Sequence, residues 1–151
     1  MKLNKENYLT ACINFLKEKI KGINDIMNET QTSANSDTKS SAGDKHETSR
    51  AMAQLENERL GGQLEVLNLQ LEKIYSINPE STNTKITFGS IVECTNFTFF
   101  ISSGLGKLKL VNNSLFYAIA IESPISKQLV TKKIGDEILV GKNSQTIIKI
   151  L

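Results

Sequence analysis

Apolar residues of the N-terminal segment fall at Leu9, Ile13, Leu16, Ile20, Ile23 and Met27, in steps that alternate 4, 3, 4, 3, 4. That is the a/d seam of a coiled coil rather than a broad globular face. From Asn28 to Gly43 no large apolar residue occurs, and Ser, Thr, Asn, Asp and Gln dominate. A second seam follows at Leu60, Leu64, Leu67, Leu71 and Ile74, again spaced 4, 3, 4, 3. Two seams of similar length around a polar stretch predict an antiparallel helical hairpin over 1–76 with a polar tip near 28–50. Each arm of about 30 residues would reach about 45 Å at the α-helical rise. Gly61-Gly62 interrupts the second arm, and the pattern predicts a kink or a close backbone approach there.

The segment 77–84, with Pro79 and several Ser, Thr and Asn, reads as a linker. From Lys85 onward the period changes to two. Phe97, Phe99 and Ile101 alternate, as do Leu115, Tyr117, Ile119 and Ile121. Ser123-Pro124 supplies an N-cap and a first-turn proline for a short helix through about Lys132. Strands are expected at Glu137–Val140 and Thr146–Ile150, with Gly135-Asp136 turning the chain between helix and strand. The fold class is therefore α+β: a long antiparallel coiled-coil hairpin, then a small β-rich domain over 85–151 with one short helix on an antiparallel sheet.

Composition narrows the chemistry. The 151 residues carry 18 basic and 16 acidic side chains, two cysteines far apart, one histidine and no tryptophan. A disulfide framework or a cysteine-rich zinc site is excluded by the absence of C-x-x-C spacing. Residues 1–76 hold 10 basic and 11 acidic groups and 77–151 hold 8 and 5, so neither half has the basic excess of a general nucleic-acid binder. No apolar run approaches the roughly 18 residues of a membrane span, and the polar start lacks an apolar signal region, which makes a cytoplasmic location the default expectation.

The run Ser123-Pro124-Ile125-Ser126-Lys127-Gln128-Leu129 to Gly135-Asp136-Glu137 resembles the "SPI-x-[KR]-x-L … GD" pattern of the Gre-type bacterial transcript cleavage factors. Gly43-Asp44-Lys45-His46-Glu47 is similar to that family's "GD-x-x-E" motif, which opens the second hairpin helix. The resemblance covers the whole chain in architecture and is patchy in identity. Thr131 stands where the family usually has a glycine, and Thr48-Ser49-Arg50-Ala51 follows where the family often reads "N-A-E-Y".

The resemblance implies an FKBP-like C-terminal domain and a hairpin that enters the secondary channel of RNA polymerase. There Asp44 and Glu47 would hold a second magnesium, shared with the polymerase and never tightly bound by this chain alone, and so promote cleavage of backtracked RNA. Hard magnesium takes one or two carboxylates from a protein and keeps its waters, and two metals stabilise attacking and leaving oxygens together. Lys39, Lys45 and Arg50 become candidates for contact with nascent RNA, with His46 beside them. Ser123, Pro124, Ile125, Lys127, Gly135 and Asp136 become candidates for polymerase binding. The implied partners are bacterial RNA polymerase and nascent RNA, with no membrane, and the chain is an accessory factor rather than an enzyme.

Other readings stand beside this one. Asp44-x-x-Glu47 is also a capping box, overlapped by Ser41-x-x-Asp44, and either starts a helix without any metal. The basic residues near the tip also serve simply to balance Asp37, Asp44 and Glu47. A regulator that occupies the secondary channel without promoting cleavage needs the same architecture. An acyl-transfer site made of Cys94 and His46 is disfavoured by placing a strand residue and a tip residue far apart. A prolyl-isomerase site would need an aromatic-lined pocket, and the chain is only 6% aromatic.

Overall fold

Two helices lead: α1 (Lys5–Asp37) and α2 (Asp44–Tyr75). Six strands and a short helix follow: β1 (Ile91–Cys94), β2 (Thr98–Ile101), β3 (Gly106–Lys109), β4 (Leu115–Ile119), α3 (Pro124–Leu129), β5 (Glu137–Val140) and β6 (Asn143–Ile150). The computed structural model describes residues 3–37 and 44–151, with the side chains of 33–37 and 44–46 excepted. The fold is α+β. Compactness groups the chain into one unit of Met1–Asn14 with Glu72–Leu151, and another of Phe15–Leu71.

In the helical unit the seam positions are the sheltered ones. Leu16, Ala53 and Leu60 are buried, and Ile20, Ile23, Met27, Leu64, Leu67 and Leu71 are half-buried. Asn57 Nδ2 donates to Gln31 Oε1 at 3.3 Å, which joins α2 to α1. Exposed ion pairs, Lys21 with Asp25 at 2.8 Å and Arg59 with Glu56 at 2.6 Å, decorate the outside and add little in high dielectric. The polar segment after Met27 stays helical as far as Asp37. Polar composition removes a core-facing stripe but does not forbid the backbone geometry. The Thr30 and Thr32 hydroxyls fold back onto the carbonyls of Ile26 and Asn28 at 2.9 and 2.8 Å.

At Gly61-Gly62 α2 continues as one helix, and a Cβ at either glycine would meet nothing within 4 Å, so the expected close backbone approach is not found.

The sheet runs in the order β3-β4-β2-β1-β6-β5. Here the structure also differs from expectation, because β2 and β4 are parallel while the other neighbours are antiparallel. The β3–β4 hairpin causes this. It turns through Asn113, whose φ of 67° sits in the left-handed region that asparagine tolerates. That turn sends β4 back alongside β2 in the same direction. The edge strand β3 exposes Lys107 and Lys109, charges that discourage pairing with another chain.

Both faces of the central strands are covered. One face carries Val92, Cys94, Phe99 and Ile101, which cluster with Ile86, Leu129 of α3, Ile138 and Ile147. On the other face Phe100 and Phe116 are fully buried, and the Tyr8 ring stands edge-on at 6.1 Å and 5.0 Å from them. The first turns of α1 therefore complete the sheet's second core. Cys12 is buried and interacts with Ser102. Lys5, only 4% exposed, donates from Nζ to Ser81 Oγ at 3.3 Å, and burial lowers its pKa. Ile77 and Ile86 are buried at the two ends of the linker stretch, and the Ser90 hydroxyl accepts from Thr87 N at 3.0 Å.

Candidate functional site

Two places hold the sequence candidates, and each is described within its own unit. The acidic pair lies at the start of α2, whose first residue is Asp44. Asp44 and Glu47 are thus one turn apart on a single helix, the spacing that lets two side chains share a face. Glu47 and Arg50 are exposed. Lys45 and His46 belong to the same first turn, but their side chains, like that of Asp44, lie outside the described residues, as does Lys39 altogether. Among the described residues no group of three or more His, Cys, Asp or Glu side chains is arranged to hold a metal.

Around α3 the geometry is fully defined. Ser123 is the N-cap, with extended backbone at φ −66° and ψ 154°, and its Oγ accepts from Ser126 N at 3.2 Å. Pro124 occupies the first helical position, where its missing N–H costs nothing. The capping hydroxyl also donates to Ser126 Oγ at 2.9 Å, and Ser126 Oγ donates on to the Ala120 carbonyl at 2.6 Å. Ser126 is completely buried, so this relay ties the helix start to the end of β4. Ile125 packs on the core cluster and Leu129 is part of it.

The helix ends sooner than its sequence pattern suggests, at Leu129 with Val130 as C-cap. Gln128 explains how the following strand is held. Its side-chain amide donates to the Leu139 carbonyl and accepts from the Leu139 N–H, both at 3.0 Å, so it acts as a one-residue partner for the edge strand β5. Sequence reasoning missed that role, for which nothing but a glutamine preceding a strand could have been a signal. Gly135 adopts φ +94°, which favours glycine, and its N–H reaches the Ile147 carbonyl at 2.8 Å. Asp136 Oδ2 accepts from Lys133 N at 2.9 Å and closes the same turn. Ser123, Pro124, Ile125, Gly135 and Asp136 thus each have a task in shaping the turn–helix–turn, while Lys127 is left exposed.

The thiols are not equipped for nucleophilic work. Burial pushes the Cys94 thiol up to about 11 and the Cys12 thiol up to about 12, with the Ser102 interaction opposing the latter in part. A nucleophilic cysteine needs the thiolate near neutral pH, and these environments disfavour it. Phe97, Phe99 and Tyr117, the aromatic residues on the α3 side of the sheet, pack against one another at 5.7 to 6.1 Å between centroids and fill core rather than line a pocket. Among the described residues no helix is long and apolar enough to cross a membrane.

No protein-family model and no curated protein matches the sequence. A solved structure described as that of the transcription factor Gfh1 is similar over 93% of this chain and 93% of that chain, with 19% identity and a TM-score of 0.34. At that level the likeness assigns neither activity nor partner to this chain.

Proposed function

We propose that this chain is a Gre-related transcription factor that binds bacterial RNA polymerase, inserts its helical hairpin into the secondary channel and stimulates cleavage of backtracked RNA. The observation that carries the reading is the start of α2 at Asp44, which puts Asp44 and Glu47 one turn apart at the head of the second of two helices of 33 and 32 residues. The resemblance of Gly43-Asp44-Lys45-His46-Glu47 and of the Ser123–Glu137 run to the Gre family supplies the context. Two carboxylates are a suitable donor set for a magnesium ion that keeps most of its waters and takes its other ligands from the polymerase. In that setting the chain's own work is positioning. It presents negative oxygens near the ion and orients a water for attack, while Lys39, Lys45 and Arg50 meet RNA phosphates. The turn–helix–turn around α3 forms the polymerase-binding surface.

The direct test is RNA cleavage on a backtracked elongation complex with and without the protein. Asp44→Asn and Glu47→Gln should each abolish stimulated cleavage and leave polymerase affinity nearly unchanged. The amides are close in size and keep helix-starting ability, since Asn caps about as well as Asp and Gln can close a capping box. They are poor ligands for a weakly held magnesium. Wild-type cleavage by either variant refutes the catalytic assignment. One departure, Thr48-Ser49-Arg50-Ala51 after the acidic pair, favours a second reading: a regulator that occupies the channel without cleaving. Polymerase binding and altered initiation or pausing, with no cleavage by the wild type, would establish it.

A further inference from the structure

The sheltered side of α2 reads Ala53, Asn57, Leu60, Leu64 and Leu67, continuing the 4, 3, 4, 3 steps, and Asn57 is the polar member. Its Nδ2 reaches Gln31, but its Oδ1 is buried with no hydrogen-bond partner among the described residues. An orphaned carbonyl oxygen in a seam weakens the pairing relative to an apolar residue. Gly61 and Gly62 follow within a turn and a half. Neither has a neighbour within 4 Å of a built Cβ, and neither needs a positive φ, so nothing in the packing demands glycine. Gly22 of α1 has the same open surroundings.

Counting antiparallel from the Gln31–Asn57 pair places Gly61-Gly62 opposite residues 26 and 27, and Gly22 opposite about residue 66. The weak points of both helices thus gather within about three turns, all inside the unit Phe15–Leu71. Few seam side chains anchor this zone: Ile20, Ile23 and Met27 of α1 and Leu64 and Leu67 of α2 are half-buried, and Ala53 and Leu60 are the buried ones among their neighbours.

We infer that the hairpin contains a built-in breakpoint at Asn57, Gly61-Gly62 and Gly22. The segments 22–37 and 44–62, which include these glycines, open and re-form together, while the helical segments on the other side stay paired. Glycine gives the backbone more freedom to gain on opening, and the orphaned Asn57 oxygen is released to water in the same event. The device does not depend on the polymerase reading. Under that reading, the opening would decide how long Asp44 and Glu47 are held in one place.

Hydrogen exchange followed by mass spectrometry on the full chain tests it, with wild type, G61A/G62A and N57L compared. In the wild type, peptides from 22–37 and 44–62 should exchange as one group, with a step to slower exchange in 63–75. G61A/G62A should slow the distal group by about 30-fold, the combined effect of two glycine-to-alanine changes in a helix. N57L should slow the same group, and peptides from 91–101 should be unchanged in both variants. Sedimentation velocity at the same concentration checks that the variants remain in the wild-type association state, because slowing that comes with self-association counts against the breakpoint. A smooth gradient along the helices with no step, or distal exchange within twofold of wild type in G61A/G62A, overturns the inference.

Discussion

Ser126→Ala removes a hydroxyl that is completely buried and sits in the middle of a three-part relay. Its bond to the Ala120 carbonyl, 2.6 Å, and its acceptance from Ser123 Oγ, 2.9 Å, are both lost. The cap bond from Ser126 N to Ser123 Oγ, 3.2 Å, survives because it uses the backbone. Leaving a buried acceptor without its donor costs about 1–3 kcal/mol, so a loss near 2 kcal/mol is expected. For a chain of this size that corresponds to a melting temperature lower by about 4–8 °C. Tyrosine fluorescence in a urea titration is the suitable probe, since Tyr8 and Tyr117 both belong to the unit containing the sheet and the chain has no tryptophan. Ser123→Ala removes the N-cap and should cost about 1 kcal/mol. Because the two hydroxyls share a bond, the double variant should lose less than the sum of the single variants. A Ser126→Ala protein within about 0.5 kcal/mol of wild type, or strict additivity, would refute the relay as a structural element.

Three further outcomes follow. Both thiols should resist alkylation in the native protein at pH 8 and react on unfolding; modification of the folded chain at the unfolded rate contradicts the burial of Cys12 and Cys94. The same burial gives a pH dependence: Cys12 stays neutral in the fold up to about 12 but ionises above 9 in the unfolded chain, so stability falls as pH rises through that window. Lys5, whose pKa is lowered, acts in the opposite sense below 10.5, so the comparison is made against Cys12→Ala, which should lose about 1 kcal/mol less than wild type between pH 8 and pH 10. Finally, Gly135→Ala should destabilise the protein by about 1 kcal/mol or more, read by the same urea titration, because φ +94° is strained for any residue with a Cβ; unchanged stability would show that the turn relaxes freely.

The sequence by itself determined the elements whose partners are local or periodic. The 4, 3 steps from Leu9 to Met27 and from Leu60 to Ile74 define the seams, because a helix face repeats on itself whatever it packs against. Glu137–Val140 is a strand at the expected residues, and Ser123-Pro124 starts a helix as its chemistry dictates.

Only the tertiary structure decided what faces what. Phe100 breaks the alternation of Phe97, Phe99 and Ile101, since β2 is central and covered on both faces, one of them by Tyr8 from more than 90 positions earlier. The parallel pairing of β2 with β4 depends on the β3–β4 hairpin, and Gly106–Lys109 has too few apolar residues to reveal β3 as a strand. Gln128 gains its role only when β5 arrives beside it. Periodicity records which side of an element is sheltered. It does not record what shelters it, because that is fixed by contacts between residues far apart in the chain, where the hydrophobic gain is non-directional and the geometry comes from the whole fold.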